Sequence, residues 1–214
     1  AFLFFAYPTK MSGNLVWVST EGQATVDGYS GETLLAQSIN SSTDYMDQAG
    51  TAYASVSDTL MAAFMGWVPG SIGETSTLAI LIGAGLLLFT GIGSWRIMLS
   101  FFLGGLSMSY LFNLWGANPF MEVNPLLQLC MGGFMFGMVF MATDPVSAAQ
   151  TNTGKWIYGF FAGFLGIMIR VFNPAYPEGI MMGILFMNVM APLIDHYVVE
   201  ASINRRMKRA TVTA

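Results

Sequence analysis

Three groups of residues in this 214-residue chain have types and spacings that could do chemistry. The first is Asp27-Gly28-Tyr29-Ser30-Gly31-Glu32-Thr33, in a soluble-looking stretch ahead of a series of apolar segments. Its two glycines let the backbone turn tightly and approach a bulky partner, and the Thr33 hydroxyl follows the carboxylates of Asp27 and Glu32. Such a stretch reads as a poor helix start but as a loop able to present a side chain for covalent modification. A plain polar turn capped by Asp27 or Ser30 accounts for the same residues. The second group is Phe136, Phe140 and Asp144, spaced by four and therefore expected on one helical face. Two rings followed by a carboxylate suggest a narrow apolar constriction beside an ion site. Asp144 before Pro145 equally suits a helix end or a cap on the next turn. The third group is Asn188, Pro192 and Asp195. Pro192 cannot donate to the Asn188 carbonyl, so an amide, a freed carbonyl and a carboxylate share one face. These are hard oxygen donors suited to a transient cation such as sodium. Asp195 also lies near a basic tail, where an interfacial charge is ordinary.

Other chemistry is excluded or unsupported. With one histidine, His196, and one cysteine, Cys130, a zinc or iron–sulfur site built from this chain alone is excluded. Cys130 lies in an apolar run and reads as a small buried hydrophobe. No nucleotide loop, catalytic triad or paired-carboxylate pattern occurs, and no resident metal or nucleic-acid partner is expected. The tail Arg205-Arg206-Met207-Lys208-Arg209 reads as a topology anchor near anionic lipid.

The elements that position these groups follow from composition. The chain is 54% hydrophobic and 9% charged, whereas soluble domains carry about 25% charge, so lipid or other subunits must cover its surface. Residues 1–8 read as the end of a preceding membrane segment, which suggests a piece of a longer chain. Residues 9–56 are polar and form an extracytoplasmic segment, with a short strand expected over Leu15–Ser19. Residues 57–198 form a membrane domain, and 199–214 a cytoplasmic tail. Within the domain, 57–68 is too short to cross a bilayer and reads as a re-entrant or interfacial half-helix, broken by the glycines and proline of 69–73. Ser71 or Thr75 is placed to cap the next helix. Five spans are then expected at about 76–93, 95–114, 125–143, 155–172 and 180–198, each near the required length of about 20 residues. The expected fold is all-α, with about five transmembrane helices. Glycine pairs Gly133/Gly137, Gly159/Gly163 and Gly179/Gly183 are expected to let helices pack closely. Arg96, Lys155 and the basic tail fall on one side of a five-span chain, which puts the C-terminus in the cytoplasm and Thr33 outside.

These pieces together resemble the B subunits of sodium-translocating NADH:quinone oxidoreductases and, less closely, the D subunits of the Rnf complex. The matching stretches are Ala1–Pro8, Val26–Thr33, Pro69–Gly83, Gly132–Ala148, Arg170–Gly179 and Ala191–Glu200. The resemblance implies the C-terminal half of a protein of about ten spans in two inverted halves, arranged like a urea channel. It implies a translocase of the bacterial inner membrane, multi-pass, in a six-subunit complex that reduces ubiquinone with NADH and moves sodium. It further implies FMN joined to Thr33 through a phosphoester by a flavin transferase, within a pattern that here includes Asp27, Ser30 and Gly31. Glu32 stands where that pattern has alanine. A noncovalent riboflavin is implied without a placement, and a sodium path through Phe136, Phe140, Asp144 and Asp195, beside the Asn188 read above. A non-redox channel or transporter on the same scaffold would use the same broken helices and carboxylates.

Overall fold

The computed structural model describes residues 6–7, 33–39, 41–45, 52–71, 73–173 and 178–212. Asp27, Ser30, Gly31 and the strand expected over Leu15–Ser19 lie outside the described residues. The described residues are helical: α1 Leu34–Gln37, α2 Val56–Met65, α3 Thr77–Phe89, α4 Trp95–Trp115, α5 Pro119–Glu122, α6 Pro125–Cys130, α7 Phe134–Phe136 with a π-helical turn Gly137–Met141, α8 Asn152–Phe172 and α9 Ile180–Val212. Of these, α4, α8 and the Ile180–Arg209 part of α9 are long and apolar enough to cross a membrane, and α2 and α3 are shorter apolar helices. The chain divides into two compact units, Ala1–Ile80 with Tyr110–Met135, and Leu81–Ser109 with Phe136–Ala214.

In the first unit, side-chain caps start the short helices. Ser55 Oγ accepts from Asp58 N and donates to the Asp58 carboxylate at 2.8 Å, opening α2. Asn118 and Asn124 cap α5 and α6, each followed by a proline at the first helical position. Proline suits that position because the N–H it lacks has no partner there anyway. Helix α2 ends earlier than the 69–73 break expected from sequence. Gly66 closes it at φ 95, and a Cβ there would lie 2.7 Å from the Ser76 Cβ. Ser76, rather than Ser71 or Thr75, caps α3, accepting from Ala79 N at 3.3 Å. Helix α2 packs against α6. Cys130 is half-buried rather than fully buried.

The expected span 125–143 is not one helix. It stops at Cys130 and restarts at Phe134, because Gly132 takes a left-handed φ of 58 that no continuing α-helix can hold.

The second unit is built on glycine-mediated backbone contact. A Cβ on Gly104 or Gly163 would collide with the backbone of the facing helix at Phe160 or Phe101, and one on Gly159 would lie 2.7 Å from the Ile97 carbonyl. Helix α8 therefore lies directly on α4. Helix α9 approaches α8 in the same way: a Cβ on Gly183 would lie 2.8 Å from the Gly166 N. Apolar association gains little where lipid tails are as apolar as the side chains, so close backbone approach supplies the packing. The packing role expected for Gly159/Gly163 and Gly179/Gly183 is thus seen. Gly137 also packs tightly, its Cβ position 2.8 Å from Ile180 Cγ2.

Candidate functional site

Thr33 opens α1. Its Oγ1 accepts from Ala36 N at 3.2 Å, and the following Leu34 and Leu35 are buried. The expectation of a poor helix start fails here, because threonine is a strong N-cap and two leucines behind it anchor the turn. The threonine itself is half-buried.

The second and third groups both lie in the second unit. Phe136 and Phe140 lie side by side, ring centroids 5.1 Å apart, and Phe140 covers Gly83, where a Cβ would reach 2.7 Å from its Cζ. Asp144 does not continue that stripe. The helix ends at Met141 in a π turn, and Asp144 sits in the connection to α8. Its Oδ2 accepts from Ser147 N at 2.9 Å and Ser147 Oγ at 2.7 Å, which is the turn-capping role. These two bonds hold the Asp144 carboxyl below its usual range.

Asp195 reaches from α9 to the start of α8. Its Oδ2 accepts from Gln150 N at 2.6 Å, and its Oδ1 accepts from Thr151 N at 3.0 Å and Thr151 Oγ1 at 2.5 Å. Thr151 Oγ1 in turn accepts from Gly154 N at 3.0 Å as the α8 N-cap. A Cβ on Gly154 would run into Asp195 Oδ1, so glycine is what lets the carboxylate seat. Lys155 adds an attractive charge. Gln150 ties the same connection together, donating through Nε2 to the Pro145 and Ala148 carbonyls at 2.7 and 2.9 Å.

One further bond lies two turns along. The fully buried Tyr158 donates its hydroxyl to Asn188 Oδ1 at 2.5 Å. Thr151 and Tyr158 are seven apart on α8, and Asn188 and Asp195 are seven apart on α9. The two antiparallel helices are thus joined by two polar rungs, Thr151–Asp195 and Tyr158–Asn188. Sequence reasoning missed Thr151, Gln150 and Tyr158. The available signal was the matching spacing of seven on two neighbouring helices, two turns on each. Pro192 stands between the rungs, inside an unbroken α9. His196 is exposed and pairs with Glu200 at 3.9 Å, and no cluster of metal-ligating side chains occurs among the described residues.

The rung at Asp195 lies at the end of the unit that carries the tryptophans and basic residues. Trp95 and Trp156 meet edge to face at 5.8 Å, Arg96 lies 5.1 Å over Trp95, and Ser100 Oγ donates to the Lys155 carbonyl at 3.4 Å. Tryptophan and basic residues gather at membrane–water boundaries. Arg170, near the other end of α8, is fully buried.

Long apolar helices and rows of exposed apolar side chains such as Ile82, Leu86 and Phe89 on α3 define an all-α membrane protein. The chain belongs to the NQR2, RnfD, RnfE family, whose sequence profile matches residues 1–204. It is 51% identical over 211 residues to the Na(+)-translocating NADH-quinone reductase B subunit of Pseudomonas paraeruginosa, covering 98% of this chain and 49% of that protein. The B subunits of the same name from Chromohalobacter salexigens and Yersinia pestis are each 50% identical over 98% of this chain, of which it covers 48% and 49%. The chain spans about half the length of the curated relatives it matches.

Proposed function

We propose that this chain is the flavin-bearing and sodium-handling part of the B subunit of a sodium-translocating NADH:quinone reductase. The observation that carries this reading is the likeness to relatives of that name, at 51% identity along almost the whole chain. In this reading Thr33 carries FMN through a phosphoester, and electrons pass by way of that flavin toward a noncovalent riboflavin and ubiquinone. Sodium is the cargo, and it moves by way of Phe136, Phe140, Asp144, Asn188 and Asp195. The partners are the other subunits of a six-subunit complex, a flavin transferase, quinone and the lipid bilayer.

The Thr33 site fits the group. Its oxygen uses a lone pair to accept from Ala36 N, an interaction an ester oxygen keeps in weakened form, and buried Leu34 and Leu35 fix the residue that would bear the load. FMN, when bound, supplies reversible electron transfer at a potential set by its surroundings. The chain's own part is to hold it in place. The tryptophan and basic end of the second unit supports a cytoplasmic C-terminus in the bacterial inner membrane. In this reading, from the order of apolar and basic segments in the sequence, Thr33 is on the outer side.

The test is covalent flavin fluorescence of the subunit on a denaturing gel. The native chain shows a fluorescent band, and Thr33→Val removes it. A band of full strength in Thr33→Val overturns the attachment site.

A further inference from the structure

We propose that Thr151 is a positioning residue that sets the sodium affinity of Asp195, by holding the carboxylate against the start of α8 in a state that binds the cation weakly. This rests on the reading of Asp195 as part of the sodium path. The geometry carries it. An ionised carboxylate offers about four lone-pair sites. Three are taken by Gln150 N, Thr151 N and Thr151 Oγ1, and the oxygen that carries two of them occupies the space a Cβ on Gly154 would need. Amide and hydroxyl hydrogens repel a cation, and a hard cation requires several converging oxygens rather than one open lone pair. Sodium binding at Asp195 therefore competes with the rung to Thr151.

The competition has two states. In the held state Asp195 satisfies the start of α8, and in the released state it is free to ligate. A cation that binds only the released state has its apparent dissociation constant multiplied by the inverse of the released fraction. Any change that weakens the rung without touching Asp195 raises that fraction and tightens sodium binding. Asn188 is held in parallel by Tyr158, so release of the rung at Asp195 leaves the second rung to keep α8 and α9 in register.

The experiment measures half-saturating sodium and kcat for quinone reduction in the assembled complex. Thr151→Val removes the hydroxyl donor, and half-saturating sodium should fall about tenfold, the scale of one lost hydrogen bond to a charged acceptor. Thr151→Ser keeps donor and cap and should restore the native value. Because Thr151 also caps α8, Gly154→Ala serves as the second variant. Its methyl group enters the space of Asp195 Oδ1 and also lies 2.5 Å from Thr151 Oγ1, so it forces the rung apart from the other side while both rung side chains stay in the chain. It should lower half-saturating sodium in the same direction. A role in folding alone would reduce assembled complex and kcat and leave half-saturating sodium unmoved. Unchanged or raised half-saturating sodium in both variants, with a clear shift in Asp195→Asn, overturns the role of Thr151 and spares the sodium path. No shift in Asp195→Asn removes the path itself, and the role of Thr151 with it.

Discussion

The segment from Pro125 to Met141 and helix α9 both contain residues that interrupt helices, and only the first is interrupted. Gly132 takes a left-handed backbone and the helix stops and restarts around it. Pro192 removes one backbone hydrogen bond, yet α9 runs unbroken from Ile180 to Val212. The difference lies in what flanks each residue. Pro192 stands between Asn188 and Asp195, each bonded to α8, so the neighbouring helix holds both sides of the weak point. A proline costs about 3 kcal/mol in a helix interior, and two buried or charge-assisted bonds are of the size needed to offset it. Glycine in a left-handed conformation has no such remedy, because the turn itself points the chain elsewhere. A proline in a membrane span is thus tolerated where a neighbouring helix holds both its flanks, whereas a left-handed glycine ends the helix by itself.

The sharpest way to break this contrast is Asp195→Ala. It leaves two N–H groups at the start of α8 and the Thr151 hydroxyl without their acceptor, and should cost about 3 kcal/mol of stability. Thermal unfolding of the purified complex measures it, and proteolysis of α9 should become easier. Next, Gly132→Ala forces a side chain into the left-handed region at about 1–2 kcal/mol, seen as a lower melting temperature. A third comparison uses two buried tyrosines. Tyr158→Phe loses its bond to Asn188 and should destabilise by about 1 kcal/mol. Tyr45 is fully buried, its hydroxyl has no partner among the described residues, and burial pushes its pKa up to about 12. Tyr45→Phe should therefore be neutral or stabilising, the opposite sign, since it removes a buried hydroxyl that no described residue satisfies.

The smallest effect concerns pH. The Asp144 carboxyl is held below its usual range by Ser147, so its contribution is complete above the unfolded-state value of about 4. It is lost as pH falls below that value and through the depressed native one. Ser147→Ala should flatten this acid-side dependence in melting curves taken from neutral pH downward.

The helical class and most helix positions were legible from hydrophobic run length alone, and glycine spacing located the backbone contacts of α4, α8 and α9. The break at Gly132 was not. A Gly-Gly pair in an apolar run fits close packing as well as a left-handed turn, and spacing cannot choose between them. The stripe of Phe136, Phe140 and Asp144 failed at its last member for a related reason. Helical periodicity was extended past Met141 into a connection whose backbone is set by Pro145 and the bond from Ser147 to Asp144. Asp195 and Asn188 were found as polar residues in an apolar helix. Their partners were missed because Thr151 lies outside the expected span and Tyr158 passes for an ordinary aromatic.

The central claim is that Thr33 bears a flavin in a sodium-translocating quinone reductase. Mass spectrometry of the peptide containing Thr33, taken from the assembled and active complex, tests it most directly. The expected result is a mass increase equal to FMN less one water, located on Thr33. An unmodified Thr33 peptide from complex that still reduces quinone would contradict it.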